Sequence, residues 1–230
     1  MASCQSTGTS RTTSGTHGSI PTHTYTNAKT VKDIRELQPQ STLPLKVAVI
    51  PSDRRHGISF EEIKIIDKWN KKLKQSGFIQ SLEVVPTSLL PKCGYKADSD
   101  CFLNQARTAG ARLGADAILF LNESSETQKY VNPLSILNLT IVGMWFVPAH
   151  HRDSNSRYEG SLIDIDNGYI YSAAEGRGEN QSIRPYMYTN NSGLEKAKLE
   201  ALDELGQKLF DVAQEYMTSK NSPNKKINKD

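Results

Sequence analysis

The sequence predicts an α/β (α+β) fold: a single mixed sheet with helices packed mainly on one face. Three observations predict it. Short apolar runs at 45–51, 78–86 and 116–122 are separated by two segments of helical period, giving the order β-α-β-α-β. Two alternating runs flank Asp166-Asn167-Gly168, the residue chemistry of a tight hairpin. A long amphipathic segment closes the pattern, with Leu202, Leu205, Leu209, Val212 and Tyr216 stepping by three and four.

The elements follow in order. Residues 5–30, "QSTGTSRTTSGTHGSIPTHTYTNAKT", are almost free of aliphatic side chains and cannot bury a core, so they are expected to be disordered. "VKDIREL" (31–37) suits a short helix before a Pro-containing run. "LKVAVIP" (45–51) reads as a buried strand ended by Pro51 and turn residues. Ser59 with Glu62 three residues on is a capping-box signature, and Phe60, Ile63, Ile66, Trp69 and Leu73 keep near-helical spacing until Gly77. "FIQSLEVVP" is a second strand and "TSLLP" a short helical turn. Residues 99–115 form a second helix, capped by Ser99 or Asp98 and left through Gly114. "DAILFLN" (116–122) is a third buried strand, and "ETQKYV" (126–131) is placed beside it as a separate, more exposed one. The organisation is therefore a tail at 1–44, an α/β domain at 45–217 and a disordered basic tail at 218–230.

Charge and hydropathy exclude several function classes. Net charge is +3 and its cations are interspersed with carboxylates, with no basic stripe, so nucleic acid is not an expected partner. Lys225, Lys226 and Lys229 read as a solvated tail. No stretch approaches the ~18 apolar residues of a spanning helix. The nearest, "PLSILNLTIVGMWFVPA" at 133–149, is interrupted by Asn138, Thr140 and prolines. It is either a central core element or an exposed patch for a partner, a bilayer surface or self-association. Leu137, Leu139, Met144, Trp145 and Phe146 are the candidate interaction residues.

Residues with reactive side chains do not assemble into a catalytic set. Cys93 and Cys101 close a short loop that a disulfide would stabilise by roughly 2–3 kcal/mol in an exported protein, and they are two reduced thiols in a cytosolic one. A zinc pair would need a second Cys or His pair nearby, which is missing. His150, His151 and Asp153, with His56 as a further donor, read as a solvated loop, because adjacent residues of an extended segment point to opposite sides. Asp164 and Asp166 share a strand face, but Asp166 leads into the turn and is expected to cap it. "EGRGE" (175–179) has two glycines with no following helix and reads as a loop. Nucleophile-elbow, P-loop, dinucleotide and zinc-protease patterns are missing. The sequons at Asn122, Asn138, Asn180 and Asn190 read as chance. No catalytic residue, metal ligand or cofactor is expected, and the chain reads as a non-enzyme.

Several segments together carry a resemblance. "LGADAILFL" after an amphipathic helix, the "IDIDNGYIYSAAEG" hairpin and the closing helix resemble Gram-negative envelope lipoproteins of the curli-secretion and penicillin-binding-protein-activator type. Those are built on the fold of the TolB N-terminal domain. "LPLKVAVIPS", "FIQSLEVVPTSLL", "LTIVGMWFVPA" and "GSLIDIDNGYIYSAAEG" look most like the rhombotarget lipoproteins. The resemblance implies a lipid-anchored, non-enzymatic component that contacts other envelope proteins. Cys4 in "MASCQS" is then the lipidated residue, with the signal sequence expected upstream of Met1. Gln5, rather than Asp, favours the outer membrane on the sorting rule of such lipoproteins. Residues 5–44 would be a tether of ~35 Å r.m.s. reach. The rival expectation is a soluble cytosolic α/β enzyme or ligand-binding domain with a disordered extension and a pocket at the C-terminal ends of strands 45–51 and 116–122.

Overall fold

The computed structural model of the chain describes residues 10–15, 31–52, 57–90, 99–131, 150–184 and 192–221. They form a mixed α/β arrangement whose strand order is β3-β2-β4-β5-β6, with β1 off this path on β4. The strands are β1 Ser10–Gly15, β2 Leu45–Pro51, β3 Ile79–Val84, β4 Ala117–Val131, β5 His150–Asp164 and β6 Ile170–Arg184. The helices are α1 Val31–Glu36, α2 Phe60–Gln75, α3 Ser99–Arg112 and α4 Ser192–Asn221, with a 3-10 turn at Thr87–Leu89. Two compact units divide the chain: a larger one of Gly18–Asn122, Glu159–Glu175 and Leu205–Asp230, and a smaller one of Met1–His17, Glu123–Tyr158 and Gly176–Glu204.

In the larger unit β2 runs parallel to both β3 and β4, with Val47 opposite Leu82 on one side and Ala117 on the other. Its residues are buried on both faces apart from Lys46, which is why the run reads as continuously apolar. Ala48, Ile50, Ile118, Phe120, Ile163 and Ile165 pack against Leu103, Ala106 and Ala109 of α3. The alternate residues Val47, Leu119 and Leu162 face Leu73 of α2 and Leu209 and Ala213 of α4. The two long helices α2 and α4 thus lie on one face, and α3 covers the other. Each fully buried Leu, Ile or Val on these faces contributes about 1.5–3 kcal/mol relative to exposure, more than any single polar contact on the surface.

Local chemistry sets the element ends. Ser59 caps α2: its hydroxyl accepts from the Glu62 amide, and the Glu62 carboxylate accepts from the Ser59 amide at 2.6 Å. α2 then buries Ile66, Trp69 and Leu73 at helical spacing. Gly206 of α4 lets the Trp69 ring rest on the helix, because a β-carbon there would overlap the indole. The hairpin expected at Asp166-Asn167-Gly168 is present between β5 and β6. The Asp164 amide donates to the Tyr169 carbonyl at 2.8 Å, and Gly168 takes a φ of +75°, where a side chain would be strained.

The smaller unit is a sheet with one helix on it. β1 lies antiparallel on β4, with Ser10 opposite Lys129 and Gly15 opposite Ser124. β4 and β5 meet through hydroxyl pairs, Ser125–Ser156 at 3.1 Å and Thr127–Ser154 at 3.4 Å, all four buried. The N-terminal half of α4 sits close above, since a methyl on Gly178 would overlap the Ala197 carbonyl. Small residues at Gly178, Gly193, Ala197 and Ala201 permit that approach. Lys198 and Glu123 pair at 2.6 Å.

Four expectations are corrected by these elements. The segment expected to be disordered holds β1, because pairing on a strand edge uses main-chain groups and needs no aliphatic side chain. β4 is one 15-residue strand, not two, because Ser125 and Thr127 are buried through hydroxyl pairs in place of aliphatic contacts. His150, His151 and Asp153 begin β5 and are not a loop. "EGRGE" lies within β6, where Gly178 admits α4. The expected short helix at 31–37 is α1, whose Val31 and Ile34 are exposed.

Candidate functional site

A dense polar cluster surrounds the hairpin turn of the larger unit, where three elements converge. Asp164, the last residue of β5, is fully buried at 0% exposure. Its carboxylate accepts five hydrogen bonds. Oδ1 takes the Asp166 amide at 2.9 Å and the Asn167 amide at 3.4 Å. Oδ2 takes the Tyr171 hydroxyl at 2.7 Å, the Gln40 amide at 3.1 Å and the Ser41 amide at 3.3 Å. The turn is therefore capped by Asp164, whereas Asp166 is exposed, which corrects the expectation that Asp166 caps it.

The segment that leads into β2 is tied to this turn. Besides the Gln40 and Ser41 amides, the Gln38 carbonyl accepts from Asn167 Nδ2 at 2.7 Å, and Ser41 Oγ donates to the Asp116 carbonyl at 3.4 Å. Asn167 Oδ1 in turn accepts the Tyr169 amide at 2.9 Å. From α3, Arg107 donates through Nε to the Ile165 carbonyl at 2.7 Å and through Nη2 to the Ile165 and Asp166 carbonyls. The turn is held from two directions, by α3 and by residues 38–41.

The electrostatics follow from burial. Desolvation pushes the Asp164 carboxyl up, but the Tyr171 hydroxyl and the Asp166, Gln40 and Ser41 amides outweigh it and hold it below the ordinary carboxylate value. Burial, then the hydrogen bond to Asp164 and its charge, push the Tyr171 phenol well above its usual value. Burial lowers the Arg107 guanidinium, and the charges of Asp164 and Asp166 oppose that shift. At neutral pH Asp164 is thus an anion that accepts and Tyr171 a phenol that donates. Each partner holds the other in the protonation state that bonds, which suits a staple and disfavours proton transfer.

The residues singled out from sequence are distributed as follows. Cys4, Cys93, His56 and the patch residues Leu137, Leu139, Met144, Trp145 and Phe146 lie outside the described residues, as does the Cys101 side chain, although Cys101 sits within α3. The apolar stretch 133–149 is the connection between β4 and β5. His151 stacks on Tyr130 with ring centroids 4.9 Å apart. Among the described residues no group of three His, Cys, Asp or Glu side chains is placed to hold a metal ion, and no helix is long and apolar enough to cross a membrane. Sequence reasoning missed Tyr171, Arg107, Gln40 and Ser41. A Tyr two residues beyond Asn-Gly-Tyr was visible, but its meaning depends on Asp164 being buried.

A second feature is an apolar cavity of about 20 Å³ between α2, α4 and the sheet, lined by Leu73, Leu119, Leu162, Leu209 and Ala213. Ser172 Oγ faces it, buried and without a hydrogen-bond partner among the described residues. A single hydroxyl offers fewer than the two to four polar partners that hold a buried water.

No family model matches the chain, and no curated protein does. Among solved structures, one similar chain belongs to the dodecamer of a PelC variant from Paraburkholderia phytofirmans. It is 13% identical, the match covers 90% of this chain and 98% of that one, and the TM-score is 0.31.

Proposed function

We propose that this chain is a Gram-negative outer-membrane protein, lipid-anchored at Cys4 on the periplasmic face, that works by contact with other envelope proteins and not by turnover. The observation that carries the reading is how the N-terminal arm joins the body. An arm too polar to fold alone is held by main-chain bonds at two places, Ser10–Gly15 on β4 and Gln40–Ser41 on Asp164. An anchored chain needs such fixed points, because the body's position then depends on the arm. The docking also shortens the tether. From Cys4 to Ser10 there are six Cα steps, at most ~20 Å when fully extended, against the ~35 Å expected of a free 5–44 coil. The body would sit close to the bilayer.

The Asp164 cluster supports action by contact. Its carboxylate is consumed by five internal bonds and serves to hold the arm and the turn. Labelled palmitate tests the anchor: the full reading frame, expressed in a Gram-negative host, incorporates label and fractionates with outer membranes. The Cys4→Ser chain loses both. Label that persists in Cys4→Ser, or a native chain that stays soluble and unlabelled, refutes the reading.

A further inference from the structure

β4 is 15 residues long, and among the described residues β2 pairs with its edge along Ala117–Leu121. Farther on, the main-chain groups of Ser124–Lys129 need another strand, because an uncovered edge is a template for pairing. β1 supplies it, in a six-residue antiparallel register from Ser10 opposite Lys129 to Gly15 opposite Ser124. The sequence "SRTTSG" brings no aliphatic side chain to this pairing, so the ladder of main-chain hydrogen bonds is its principal bond. Residues 16–30 connect β1 to α1, a length of chain that can extend ~50 Å.

We propose that the β4 edge at Ser124–Lys129 is an exchange site, and that in assemblies it takes the Ser10–Gly15 strand of a second copy of this chain. Nothing in the register depends on which copy supplies the strand, so exchange keeps every bond and changes only connectivity. The connection fixes when it happens. A strand tied to its own body through the length of residues 16–30 competes at an effective concentration on the order of 1 mM. Exchange is therefore rare for dilute chains and common where copies are crowded. This inference goes beyond the anchoring proposal and stands without it.

Disulfide trapping tests it on the full chain with Cys4, Cys93 and Cys101 replaced by Ser. One chain carries Ser10→Cys and a second, differently tagged chain carries Lys129→Cys, an exposed position. They are unfolded together, refolded and oxidised at ~10 µM and at ~1 mM. A parallel pair uses Arg11→Cys and Gln128→Cys, since neighbouring pairs of an antiparallel ladder alternate between Cα separations of about 5.5 and 4.5 Å. The proposal expects a mixed-tag dimer that rises from roughly one per cent of chains to about half, following the ratio of protein to effective concentration. A chain carrying both cysteines that closes on itself while separate chains give no mixed dimer at ~1 mM overturns exchange. Failure of both pairs to close within or between chains overturns the β1–β4 pairing on which it rests. No arm of the test uses a lipid, so its failure is separate from failure of the anchor.

Discussion

Replacing Asp164 by Ala removes the acceptor at the centre of the turn and the arm. Five donors lose their partner: the Tyr171 hydroxyl and the amides of Gln40, Ser41, Asp166 and Asn167. Hydrogen bonds to a charged group contribute about 1.5–3 kcal/mol each, and the three at 2.7, 2.9 and 3.1 Å are the strong ones. They do not add, and the variant no longer has to desolvate a carboxylate. Leaving these buried donors unsatisfied sets the net loss at ~3–4 kcal/mol. In urea, with a slope of about 2 kcal/mol per M, the midpoint falls by roughly 2 M at unchanged slope. Asp164→Asn keeps one acceptor oxygen and loses about half as much. The pH dependence has a definite sign. The folded carboxyl titrates below its unfolded value of about 3.9, so its contribution is fully present above that pH and disappears as pH falls through the folded value. The native chain therefore loses stability more steeply below about pH 4 than Asp164→Asn does. A loss under ~1 kcal/mol for Asp164→Ala, or equal acid slopes for native and Asn chains, refutes the staple.

Three other outcomes follow from packing and pairing. Ser172→Ala removes a buried hydroxyl that has no partner among the described residues and raises stability by about 1 kcal/mol in thermal unfolding; a destabilised variant means Oγ is bonded after all. Gly178→Ala drives a methyl into the Ala197 carbonyl and lowers stability by ~2 kcal/mol or more, and a neutral result shows that α4 is not so close to β6. The mixed-tag crosslink between Ser10→Cys and Lys129→Cys chains grows with concentration if the arm exchanges, and stays absent if it does not.

Much of the larger unit was legible because its apolar residues fall at single periods. β2, α2 and α4 follow directly from aliphatic spacing, and the hairpin follows from Asn167-Gly168, whose chemistry is local. The smaller unit was illegible for the opposite reason. Its sheet buries Ser125, Thr127, Ser154 and Ser156, and hydroxyl pairs look like surface in a one-dimensional pattern. The glycines of "EGRGE" read as loop residues, whereas Gly178 serves the approach of a helix. Asp164 shows the limit at the site itself. Its turn is written in adjacent residues, but its bonds to Gln40 and Ser41 cross more than 120 positions. No local pattern encodes a pairing that only the folded sheet creates.

The most direct measurement is the intact mass of the protein recovered from the membranes of its native host. An anchor at Cys4 predicts a chain that begins at Cys4 and carries the added mass of its acyl groups. A soluble chain that keeps Met1 ahead of an unmodified Cys4 thiol contradicts it.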